Sequence, residues 1–144
     1  VSSATAAASS PLGRVIGATL SGALVVFGLL TCLPGVLAIS PELGNRLLFG
    51  NQLELTASTD LIVRHWGATI FLVGAAMVVA AVRPDVRGPV LAFALAEKVV
   101  LVVLVAAAQA QPWGRAYLMP GVLDAIISTW IVLVLVTGNV RARS

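Results

Sequence analysis

Four long apolar runs, set apart by short polar stretches, dominate the chain. They extend from Val15 to near Ile39, from Leu61 to Val82, from Pro89 to near Gln109, and from near Leu118 to Thr137. Each has the roughly 20 residues that an α-helix needs to cross the hydrocarbon of a bilayer. Inside lipid the backbone must satisfy its own hydrogen bonds, so runs of this length predict helices and not open strands. Short connections join the second run to the third and the third to the fourth, which makes antiparallel neighbours. The pattern predicts an all-α, integral membrane, up-down four-helix bundle over residues 14–138. The small polar stretch 1–13 reads as a disordered cytoplasmic tail, and 139–144 as a second cytoplasmic tail. In the longest loop, 40–60, "ELGNRLLFGNQLEL" reads as a short helix lying at the interface.

Composition strengthens the membrane expectation. Only 10% of the 144 residues are charged and 59% are hydrophobic, with a mean hydropathy of +1.03. A soluble domain carries about 25% charged residues, enough to cover a wet surface, and this chain cannot do so. The net charge of +3 comes from scattered single Arg and Lys residues, which excludes a nucleic-acid footprint. The same residues indicate direction. Arg14, Arg83, Arg87, Arg141 and Arg143 flank the runs on one side, and Arg46, Arg64 and Arg115 on the other. The excess favours both termini in the cytoplasm. Trp113 and Tyr117 then mark the outer interface, where amphipathic rings prefer to sit. "VLA" at 36–38 fits a signal-peptidase site, but the apolar run before it exceeds the usual 7–15 residues and its basic flank is a single Arg14. The first run is therefore read as a retained span. Cys32 is the one cysteine, so no intrachain disulfide forms, and it reads as a packing residue.

Small residues recur along the spans. Gly13, Gly17, Ser21, Gly28 and Cys32 share one face of the first, Gly67, Gly74, Ala76 and Ala80 lie in the second, and Ala92 and Ala96 in the third. Small faces let membrane helices approach closely. They serve either an internal bundle or a homodimer.

The candidate chemistry is a set of ionisable groups inside these runs: Arg64 and His65 in the second, Glu97 and Lys98 in the third, and Asp124 in the fourth. Charges within spans normally face a bundle interior or a wet cavity. Adjacent helical residues point about 100° apart, so Glu97 and Lys98 do not face each other, and at least one needs company from another helix. Helical side chains lean toward the N-terminus of their helix. Arg64, His65 and Asp124 thus lean outward together, and the expected ion pair joins Arg64 or His65 to Asp124. Lys98 leans toward the cytoplasm and snorkels partway. Two uses of the set stand: structural polar contacts that fix helix register, or a cavity for a proton, ion, lipid headgroup or quinone. His65 has no second His or Cys beside it and makes no metal site. A phosphate loop, a Ser/His/Asp set and a Cys-x-x-Cys are all missing, so no catalytic residue is assigned.

The stretch "RHWGATIFLVGAAMVVAAVRPDVRGPVLAFALAEKVVLVVLV", residues 64–105, resembles small bacterial four-helix membrane proteins of the DoxX-like kind. The shared features are an Arg followed by Gly at the head of span two, a further glycine, a basic hairpin and a charged residue in span three. The resemblance implies a subunit of the bacterial cytoplasmic membrane, some relatives being tied to quinone-linked oxidation. Three functions follow, in order: a non-catalytic subunit or interaction partner of a membrane complex; a quinone-linked redox subunit; and a proton-coupled small-solute transporter acting as a dimer. The expected partners are the lipid bilayer and another membrane protein or a second copy. Quinone is the one cofactor considered.

Overall fold

The structure, a computed structural model, describes residues 11–111 and 113–138. Among them there is no strand. The helices are α1 (Pro11–Cys32), α2 (Val36–Ile39), α3 (Pro41–Phe49), α4 (Ala57–Val82), α5 (Arg87–Ala108) and α6 (Leu118–Val136). Four helical segments are long and apolar enough to cross a membrane: Gly13–Ile39, Ala57–Val82, Pro84–Ala108 and Gly114–Val136. The first is not one smooth helix. A 3-10 turn, Leu33–Gly35, joins α1 to α2, because Pro34 has no N–H to offer and its ring crowds the preceding turn.

The boundaries depart from the sequence pattern at polar ends. The expected tail 1–13 gives up its last three residues to α1, since proline suits a first helical turn where no N–H acceptor is needed. Residues 1–10 and the expected tail 139–144 lie outside the described residues. The second span starts at Ala57, four residues before Leu61. Thr56 and Thr59 cap it reciprocally, and Asp60 pairs with Arg64 at 2.8 Å, so a polar turn extends the helix. The helix expected in the 40–60 loop forms as α3. Ser40 caps its start, Pro41 opens it, and Gly50 at φ 58° ends it in the left-handed conformation that glycine adopts without strain. Asn45 then fixes the following loop, bonding both the N–H and the carbonyl of Leu53 at 3.0 and 2.9 Å.

Neighbouring long helices run antiparallel. Gly28 meets Gly74 and Val78, while Gly35 meets Phe71 and Gly67 meets Pro34 and Ala38, so α1–α2 and α4 pass in opposite directions. Gly121 of α6 likewise meets Val105 of α5. α1 also touches α6, where Phe27 packs edge-on against Trp130 with centroids 5.1 Å apart, closing the ring of four. The core inside runs through Leu20, Leu24, Met77, Leu91, Ile127 and Ile131.

Two arginines bind exposed helix ends into this frame. Arg64 donates to the carbonyls of Ala38 and Ile39 at the end of α2, at 3.1 and 2.9 Å. Arg87 donates to the carbonyls of Ala80 and Ala81 at the end of α4, both at 2.8 Å, and to Ser21 Oγ at 2.9 Å. In each case a cation meets the negative end of a helix dipole and uncapped carbonyls.

Of the small residues, Gly28, Gly67 and Gly74 lie buried in the α1–α4 contact, whereas Gly17 and Ser21 are exposed. The buried row of α1 is Ile16, Leu20, Leu24 and Gly28. An i, i+4 row swings about 40° around the helix at each step. Gly17 and Ser21 share Gly28's angular position but not its height, and lower down the contact has rotated past them. Ala92 and Ala96 of α5 are also exposed.

Candidate functional site

The interior charge lies between α5 and α6. Lys98 Nζ donates to Asp124 Oδ1 at 2.7 Å, and the lysine side chain is only 1% exposed. Glu97 Oε2 stands 3.7 Å from the same ammonium, an ion-pair distance too long for a hydrogen bond. Lys98 sits about 16 Å along α5 and Asp124 about 9 Å along α6, at 1.5 Å per residue. The antiparallel register set by Gly121 against Val105 leaves them about one turn apart, a gap the lysine's four-carbon stem spans.

The expected pairing of Asp124 with Arg64 or His65 is therefore corrected. Arg64 is committed to Asp60 and to the end of α2. His65 is exposed on α4 and, among the described residues, joins no ion pair. The direction in which side chains lean is a weak bias for a long flexible stem. Helix face and register decide, and they put Lys98, not an α4 residue, opposite Asp124. Lys98 does not snorkel toward the helix end, because a buried carboxylate is closer. The need of the Glu97–Lys98 pair for company from another helix is met by Asp124.

Three buried polar atoms have no hydrogen-bond partner among the described residues: Glu97 Oε2, Thr31 Oγ1 and Ser128 Oγ. Sequence reasoning passed over Thr31, one hydroxyl in an apolar run. The available signal was its place mid-span, two residues before the Leu33-Pro34 break.

Two hollows flank the charges. One, of about 230 Å³, is lined by Thr31, Leu33 and Pro34, by Phe49 of α3, by Trp66 and Ile70 of α4, and by Lys98 and Asp124. α3 covers one side of it, held there by Phe49 packing between Trp66 and Tyr117 at centroid distances of 6.1 and 5.6 Å. The other hollow is a groove of about 420 Å³ between α4 and α5, lined by Trp66, Thr69, Phe93, Ala96, Glu97 and Val100. Glu97 and Lys98 thus diverge around the helix, one toward each hollow, while Trp66, Ile70 and Leu101 line both. Among the described residues, no group of three His, Cys, Asp or Glu side chains is placed to hold a metal ion.

The arrangement can hold a helix pair in register, present a carboxylate to the α4–α5 groove and offer donors to an apolar chamber. No family model matches the chain, and no curated protein or solved structure matches it. The candidate site stands on its geometry.

Proposed function

We propose that the chain is a small multi-pass membrane protein that works as a non-catalytic subunit, docking a partner's membrane helix in the groove between α4 and α5. The observation that carries this is Glu97. Two carboxylates share one ammonium, and the short bond goes to Asp124, so Glu97 is the unmatched charge. It lies mid-helix on an outward groove, where a carboxylate held only by a 3.7 Å approach to a shared ammonium is expensive in lipid. A donor from a second helix would complete it. Exposed Ala92 and Ala96, four residues apart beside the groove, allow that helix to come close.

A second copy fits less well. A symmetric pairing centred on this groove would set Glu97 against Glu97. The partner is a different helix, with Lys, Arg or an amide or hydroxyl donor near its middle. The excess of Arg on one flank supports both termini in the cytoplasm, and α1 begins at the end of the bundle where α6 finishes. The resemblance of residues 64–105 to DoxX-like proteins is in keeping with a subunit of a bacterial cytoplasmic membrane complex.

The test uses energy transfer in liposomes between the labelled protein and a designed Leu/Ala helix, with or without one central Lys. The expected result is about tenfold tighter association of the Lys helix, from an interhelical polar contact of about 1–2 kcal/mol. Glu97→Gln should erase that preference. Equal association of both helices, or self-association of the chain through Glu97, contradicts the proposal.

A further inference from the structure

We infer that the chamber beside Lys98 is a binding site for a neutral lipophile bearing one polar head oxygen, a hydroxyl or a carbonyl. The inference rests on the same membrane placement as the proposed function; the two hollows share Trp66, Ile70 and Leu101, but Thr31, Lys98 and Asp124 line the chamber alone.

The chamber has room. An apolar cavity of about 150 Å³ already holds a benzene ring, and this one measures about 230 Å³. Its walls are apolar but for Thr31, Lys98 and Asp124. Leu33 and Met119, both well exposed on the outer surface, form part of the lining. A molecule dissolved in the bilayer would meet that side first.

Thr31 is the decisive residue. Threonines inside helices usually bond back to a carbonyl one turn earlier. Thr19, Thr69, Thr129 and Thr137 do so here, to the carbonyls of Val15, His65, Ala125 and Leu133 at 2.7–2.9 Å. Thr31 does not. It is 3% exposed, its hydroxyl has no partner among the described residues, and it lines the chamber. A buried hydroxyl left unmet is costly, and ligand contact would relieve it.

Lys98 supplies the second contact. An ammonium has three N–H donors, and among the described residues its one hydrogen bond goes to Asp124. A ligand oxygen can accept from a remaining N–H without breaking that pair. Charge selects the head. With Asp124 bonded and Glu97 also near, the cluster has no positive charge to spare for an anionic ligand. A cationic head would have to compete with Lys98 for Asp124. A neutral oxygen meets neither obstacle.

The test places the protein in lipid nanodiscs and follows quenching of Trp66 by bromine-labelled dodecane, dodecanol, dodecanoate and dodecylamine. Trp66→Phe isolates the Trp66 signal, and its sensitivity to Thr31→Val assigns it to the chamber and not to the groove that Trp66 also lines. Bromododecanol should half-saturate quenching at about tenfold lower concentration than bromododecane, the effect of a hydrogen bond in an apolar site. Thr31→Val, close in shape, should remove most of that advantage while the protein stays folded. Glu97→Gln should leave it intact, which separates this site from the docking groove. Equal quenching by alkane and alcohol would overturn the inference. So would preference for the acid or the amine, or an alcohol advantage that survives Thr31→Val.

Discussion

The bundle is held by two different kinds of interface. Where α1 crosses α4, backbone lies against backbone. A Cβ placed on Gly74 would fall 2.5 Å from the carbonyl oxygen of Gly28 and 2.7 Å from the N–H nitrogen of Cys32. Where α5 meets α6, a long side chain reaches across to a carboxylate, and hollows remain on both sides of α5. The first interface is steric and closed at Gly28 and Gly74, and only beside it, at Thr31, does it open onto the chamber. The second is electrostatic and leaves room. Polar groups sit where close packing stops, and that is where recognition is to be sought.

Substitutions can break this contrast, and reversible unfolding in mixed micelles reads each one. The largest effect is expected from Lys98→Met, which strands Asp124 and Glu97 without their cation. Breaking one partner out of a buried pair costs about 3–5 kcal/mol. Gly74→Ala comes next, at about 1–3 kcal/mol, because two of the atoms in its way, Gly28 O and Cys32 N, are backbone and cannot swing aside. If the order were reversed, the steric interface would be the dominant one. Arg64→Ala should cost about 1 kcal/mol by uncapping α2. His65→Ala should change stability by less than about 0.5 kcal/mol, as for an exposed residue outside any network. A large loss there would place His65 in the polar cluster after all.

The four long helices were legible because lipid-length apolar runs leave few alternatives. Span ends were less so, since caps such as Thr56 and pairs such as Asp60–Arg64 extend helices into polar sequence. Small residues marked the α1–α4 crossing at Gly28 and Gly74. The slant of the contact row hid that Gly17 and Ser21 turn away from it. The ionisable residues of the site could be named from sequence, yet not matched. Pairing depends on register between helices, and nothing local to Arg64 or Asp124 encodes it. Thr31 was hard to single out for a related reason. A hydroxyl that fails to bond its own helix looks, in sequence, like one that does.

The central claim is that Lys98 and Asp124 act as one unit holding α5 to α6. A double-mutant cycle with Lys98→Met and Asp124→Leu, unfolded reversibly in mixed micelles in a Glu97→Gln background, tests it directly. Each single change should destabilise strongly, and the double change should recover most of the loss, since an apolar pair replaces a buried ion pair at little cost. A double variant as unstable as the sum of the singles would contradict it.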